Sequence, residues 1–166
     1  MESYMEYMVK KETTGKDKAV RALCYIVIAL LAIAAFLTLQ PILFVAALIF
    51  GMLYRYFIYP MTDLEYEYMY CDKQITVSKI MAKEKRKDVA TYDLDKMELL
   101  VPANSYRLAD YKNRDLTVVD YWSLDPSEDH VPFALIYEGK SKILLDLPAD
   151  FVKIVQNNAP RKVFFD

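Results

Sequence analysis

His130 is the single histidine of the chain, and it follows the acidic stretch Asp125-Pro126-Ser127-Glu128-Asp129. An imidazole beside carboxylates can titrate near neutral pH. A cluster of acidic oxygens can also hold a hard cation. The spacing here lacks the alternating oxygen ligands and the central glycine of a calcium loop, so a solvated polar loop is the expectation. The two cysteines, Cys24 and Cys71, stand far apart with no second Cys or His near either. Neither a disulfide nor a metal site is expected, and isolated thiols fit a reducing compartment. The three glycines, Gly15, Gly51 and Gly139, are too scattered to form a phosphate-cradling loop. No nucleophile stands beside a base. The reading is therefore non-enzymatic, with no cofactor and no metal, and an enzyme is kept only as a minor alternative.

One further cluster carries usable chemistry. Lys83, Lys85, Arg86 and Lys87 form a short basic run. Such a run can meet an anionic lipid surface, or it can simply be a solvated turn that discourages strand pairing. The chain as a whole has a net charge of −2, so it lacks the basic excess of a nucleic-acid binder and none is expected as a partner.

What positions these groups is a membrane anchor. Residues 22–54 carry no charged side chain, in a chain that is 27 % charged. The run is interrupted at Gln40-Pro41 and divides into two spans, about 22–39 and 42–59. Eighteen residues of helix at 1.5 Å each reach about 27 Å, enough to cross the hydrocarbon core. Arg21 flanks the first span, and Tyr54, Arg55, Tyr56 and Tyr59 close the second, as interfacial anchors whose rings and heads suit the headgroup zone. Lys10, Lys11, Lys16, Lys18 and Arg21 precede the first span, whereas the turn between spans has no basic residue. Basic flanks stay in the cytoplasm. Both termini are thus expected on the cytoplasmic side of the plasma membrane. No charged side chain lies within the membrane between Ala22 and Tyr54, as a transport pathway would require. Ala47 and Gly51 form a small-xxx-small pair expected to seat the two spans together.

Residues 1–21 make a cytoplasmic tail. Met1, Tyr4, Met5 and Met8 recur at helical spacing, which predicts either a short amphipathic helix in the interface or an unstructured tail. Residues 62–166 form the soluble domain. Leu64, Tyr66, Tyr68 and Tyr70 alternate with polar neighbours, a period of two. Further strands are expected at Ile75–Met81, Val89–Tyr92, Met97–Val101, Leu116–Trp122, Pro132–Tyr137 and Lys142–Leu147, with Tyr121 and Trp122 anchoring the core. The Lys83–Lys87 run falls in a turn. A final helix begins at Pro148 and buries Phe151, Ile154 and Val155.

Seven strands followed by one helix is the pleckstrin-homology (PH) plan, a bent antiparallel barrel plugged by a helix. The chain resembles bacterial members of that superfamily, and more closely a family of bacterial two-span membrane proteins with such a domain behind the spans. The resemblance is carried by Leu64-Glu65-Tyr66-Glu67-Tyr68, Ala82-Lys83-Glu84-Lys85-Arg86-Lys87, Tyr92-Asp93-Leu94, and the ending Asp150-Phe151 through Ala159-Pro160-Arg161-Lys162-Val163-Phe164. It implies an α+β membrane protein: a transmembrane hairpin followed by a seven-stranded PH-like barrel with a C-terminal helix. It leaves activity open. In eukaryotic relatives a basic first hairpin loop grips inositol phosphates. Here that loop is Cys71-Asp72-Lys73, so no specific inositol phosphate is expected.

If the strands follow one another as a meander, turns alternate between the membrane end and the far end. The membrane end then collects Lys83–Asp88, Pro102–Asp115 and Glu138–Lys142, with a basic excess. The far end collects Asp72, Asp93, Asp95, Asp125, Glu128, Asp129, Asp146 and Asp150, with an acidic one. The expected function is a membrane-anchored interaction or scaffolding module, binding a protein partner, the anionic lipid surface, or both. An accessory subunit of a larger membrane complex is the alternative.

Overall fold

A computed structural model describes residues 4–123 and 132–165. His130, Asp125, Glu128 and Asp129 lie outside the described residues. The chain opens with a strand, β1 (Met5–Lys10), where a helix or a loose tail was expected. Met5, Tyr7 and Val9 alternate inward while Glu6, Met8 and Lys10 face out, so the operative period is two. The helical spacing of Met1, Tyr4, Met5 and Met8 is overridden by a neighbour that arrives much later in the chain: β1 lies antiparallel to β2 (Leu64–Cys71), with Lys10 opposite Glu65 and Met5 opposite Tyr70. The β-domain therefore draws on both sides of the hairpin, not on residues 62–166 alone.

Helix α1 (Gly15–Thr38) starts before the expected boundary. Thr14 caps it and Asp17 completes a capping box, satisfying amides that the first turn leaves without intrahelical partners. Leu39, in the left-handed region at φ 53°, ends α1, and Pro41 opens α2 (Pro41–Leu53). A π-helical turn, Tyr54–Ile58, and a short α3 (Tyr59–Thr62) follow without a break. Pro60 explains the wide turn. It has no amide to donate to Tyr56, and its ring would press on that carbonyl in an α-helix. The helix relaxes instead to a bond from Tyr59 N–H to Tyr54 O. The two apolar stretches run over Gly15–Thr38 and Pro41–Thr62, and only 11 % and 6 % of their most apolar windows is covered by protein. Leu30, Ile33, Phe36, Leu37, Ile42, Leu48 and Met52 are all exposed. A soluble core would bury them; a bilayer does so here.

Beyond α3 the chain forms β2, β3 (Gln74–Met81), β4 (Lys85–Asp93), β5 (Met97–Pro102), a 3₁₀ turn (Tyr106–Tyr111), β6 (Thr117–Asp120), β7 (Pro132–Tyr137), β8 (Ser141–Asp146) and α4 (Ala149–Asn158). The described strands number eight, in two four-stranded sheets ordered β1-β2-β3-β4 and β5-β7-β8-β6. A closed seven-stranded barrel is not what forms. The eighth strand is β1, and no ladder joins the two sheets among the described residues. Between them lies the core: Tyr66, Tyr68, Tyr70, Ile75, Leu100, Leu135, Ile143 and, from α4, Phe151, Val152 and Val155. The helix thus plugs the sandwich as expected, with Val152 buried beside Phe151 and Val155 and Ile154 at the margin. The core ring of its pair is Tyr121, edge-on to Tyr66 with centroids 5.7 Å apart, while Trp122 is half-buried. The chain's last residues pair with β5 through Val163 and Leu100, covering that sheet edge.

Strands β5 and β6 are not joined by a turn. β6 runs parallel to β8, so the segment 103–116 travels the length of the sheet before β6 begins. It packs Leu108, Tyr111 and Leu116 on the outer face of the second sheet, against Leu99, Val101 and Ile136. This crossover reverses every later turn relative to a meander.

Candidate membrane-proximal site

The membrane end of the domain is where α3 meets β2, and there the anchors expected from the sequence come together. Arg21 on α1 donates from Nε to Thr62 Oγ1 at 2.7 Å. Its guanidinium lies 5.1 Å from the centre of the Tyr59 ring. Arg55 approaches the same ring at 5.0 Å. One tyrosine is thus contacted by cations from both helices, each contact contributing about 0.5–2 kcal/mol according to its exposure. Tyr54 is buried against Tyr25, with centroids 5.1 Å apart, and stands 6.5 Å from Tyr59. Tyr56 stacks edge-on with Phe57. Arg21, Tyr54, Arg55 and Tyr59 therefore form one connected patch rather than separate interfacial anchors, with Tyr56 turned to Phe57 and Lys85 beside it.

The β3–β4 turn closes onto that patch. It is tighter than the sequence indicated, with Ala82 and Lys83 both at positive φ (52° and 58°). Lys85, Arg86 and Lys87 belong to β4. Lys85 Nζ sits 4.0 Å from the centre of the Tyr56 ring. Arg55 Nη2 pairs with Glu84 at 3.1 Å. Arg86 is committed elsewhere: it pairs at 2.6 Å with Glu67, which is 2 % exposed. Lys83 and Lys87 carry no ion pair among the described residues. The four basic residues thus divide into one turned onto the second span, one neutralising a buried acid, and two left open.

Glu67 is set in a polar cluster on the outer face of the first sheet. Ser78 donates to Asp88 at 2.7 Å, and Tyr4 donates to Glu6 at 2.6 Å. Burial pushes the Glu67 carboxyl above its ordinary range, reinforced by a hydrogen bond with Glu6 and opposed by Arg86. The hydrogen bond from Tyr4 moves Glu6 the other way, below its ordinary range. Within the core, Tyr68 Oη donates to Tyr121 O at 2.7 Å and accepts from Asp146 N–H at 3.3 Å. Burial raises its pKa well above the ordinary phenol value. Ser123 Oγ donates to Asp146 Oδ2. These buried polar contacts pin the two sheets; the sequence reading counted Asp146 only as a far-end acid and passed over Ser123, because nothing in their spacing signals the pairing.

Among the described residues the charges do not divide between the two ends as expected. Glu138 pairs with Lys96 at 2.9 Å and Arg114 with Glu98 at 3.4 Å, so the Glu138–Lys140 turn stands at the far end with the Asp93–Lys96 turn. Gly139, at φ 64°, is held there beside Glu98, whose Oε1 would lie 2.8 Å from any added Cβ. Conversely, Glu12 N–H bonds Ser123 O at 2.7 Å, which places Ser123 and its partner Asp146 at the membrane end. The crossover before β6 is the physical reason. The turns before β5, at Asp72–Lys73, Ala82–Glu84 and Asp93–Lys96, keep their expected ends.

A two-helix membrane hairpin that returns the chain to the side it left, with a β-sandwich assembled from both flanks, defines a membrane-anchored β-domain protein. Residues 1–165 match the family described as Bacterial PH-like domain (DUF6106), and the chain belongs to that family. No curated protein and no solved structure matches it.

Proposed function

We propose that this protein is a non-enzymatic interaction module held against the inner leaflet of the plasma membrane, with both termini cytoplasmic. The observation that carries the reading is the junction: Tyr59 between Arg21 and Arg55, and Glu84 and Lys85 seated on the end of the second span. Such contacts hold the domain at a set height and orientation over the bilayer. A flexible linker would leave it free. The basic flank of the first span supports the cytoplasmic orientation. Lys83 and Lys87 face the leaflet and contribute about 1 kcal/mol each on an anionic surface, with Lys85 adding to the local field and Arg86 largely spent on Glu67. A protein partner is served by the edges of β4 and β6, the last strands of their sheets and unpaired on that side among the described residues, which can accept an extended segment.

The leaflet part is tested on a soluble chain in which a short Gly/Ser loop replaces the hairpin. Binding to vesicles containing phosphatidylglycerol should fall by roughly tenfold or more on Lys83→Ser/Lys87→Ser, from two lost contacts of about 1 kcal/mol each. Equal binding of the two chains would overturn it. The accessory-subunit reading is separated by crosslinking in native membranes. A partner captured by the full chain and lost when the spans are replaced by an unrelated hairpin favours a subunit. A partner retained favours the module.

A further inference from the structure

The second span carries an apolar groove of about 730 Å³, walled by Ile28, Ala47, Leu48, Gly51, Met52 and Phe57. Gly51 leaves it open, since a Cβ added there would meet nothing within 4 Å. The first span therefore does not fill the space beside Gly51, contrary to the packing expected of the Ala47–Gly51 pair. At its domain end the groove reaches Arg55 and Tyr56. The same two residues line a second cleft of about 250 Å³, between the span and the β3–β4 turn, completed by Pro60, Met81, Glu84 and Lys85. The two spaces thus adjoin at Arg55 and Tyr56, the first apolar along the span and the second carrying Arg55 and Lys85 against Glu84 where the span meets the domain.

We infer that the groove and the adjoining cleft together form a binding site for one anionic glycerophospholipid. An acyl chain lies along Gly51 and Met52, and the phosphate lies between the Arg55 guanidinium and Lys85 Nζ. Charge complementarity selects the occupant. Arg55 and Lys85 outweigh Glu84, and Lys83 stands beside them, so a net negative headgroup is favoured and the ammonium of a zwitterionic one is not. Glu84 occupies Arg55 at 3.1 Å and is largely exposed, so it can yield that place to a phosphate and turn to water. Depth selects the tail: along the span the walls are apolar side chains and the surrounding medium is hydrocarbon. The inference rests on the membrane reading above but is separate from docking by Lys83 and Lys87, because it requires the groove.

The test uses the full chain in phosphatidylcholine nanodiscs, with Phe57→Trp as reporter at the groove and Trp122→Phe to remove the background. Phosphatidylglycerol brominated on its acyl chains should quench the reporter at a mole fraction roughly tenfold lower than brominated phosphatidylcholine. Arg55→Ser/Lys85→Ser should abolish that preference. Gly51→Leu, which fills the groove and leaves the charges intact, should also abolish it. Glu84→Gln should sharpen it. Equal quenching by the two lipids overturns the site. A preference that survives Gly51→Leu unchanged overturns it as well, and leaves peripheral attraction to the basic turn standing. Covalent dimers formed by Gly51→Cys in a Cys24→Ser/Cys71→Ser background, with no lipid preference, would assign the groove to a second copy instead.

Discussion

Val9→Ala separates the strand reading of the N-terminus from the helical one. Val9 is 2 % exposed and packs in the main core, whereas Met8 beside it is 49 % exposed. Removing two methyl groups at about 0.8 kcal/mol each, plus a small cavity term, gives about 2 kcal/mol of destabilisation. For a domain of this size that lowers Tm by about 6–10 °C. The background is the soluble chain lacking the hairpin. Lys11 N–H bonds Leu64 O at 2.9 Å and Lys10 lies opposite Glu65, so a loop of about four residues can join Glu12 to Asp63. Urea and thermal unfolding would be followed by far-UV circular dichroism, with Met8→Ala as the paired control, expected to change stability by less than about 0.5 kcal/mol. Equal effects from Val9→Ala and Met8→Ala, or a negligible effect from both, would refute the assignment of β1 to the sandwich.

Two other outcomes follow from the buried polar groups. Tyr68→Phe in the same background leaves the Tyr121 carbonyl and the Asp146 amide without their phenol partner and should cost about 2–4 kcal/mol, read from the urea midpoint. Glu67 has its pKa raised on folding, so its stabilising protonation is complete below the ordinary value of 4.5 and is lost as pH rises through the raised one. Glu67→Gln should therefore gain in Tm over the wild type as pH goes from about 4 to about 7, whereas a difference independent of pH would show that the carboxyl titrates normally. Glu6, shifted downward, acts in the opposite sense, its contribution present above 4.5 and lost as pH falls.

The hairpin was legible because its signal is compositional: an uncharged run needs no partner to declare itself. The Tyr66-Tyr68-Tyr70 alternation and the Phe151–Val155 face were legible because their periods are local. β1 was not, since six residues satisfy a helical spacing and an alternating one equally, and the decision is made by β2, which the hairpin brings back to the same side. The interfacial anchors were identified singly, but their convergence on Tyr59 depends on the π turn, which Pro60 imposes and which shifts Arg55 and Tyr56 around the helix. The ends of the domain were misassigned after β5 because a crossover and a turn look alike in sequence. Segment 103–116 reads as a loose loop, and only the packing of Leu108, Tyr111 and Leu116 on the outer sheet reveals that it changes ends.

The pairing of β1 with β2 has a consequence for biogenesis. β1 leaves the ribosome before either span, yet its partner is made only after both. The strand must wait on one side of the bilayer until the second helix has brought the chain back. Should one span fail to insert, β1 and β2 would emerge on opposite faces and the first sheet would lack its edge. Completion of the sandwich thus acts as a check on topology, and a misinserted chain would betray itself by an incomplete domain open to proteolysis.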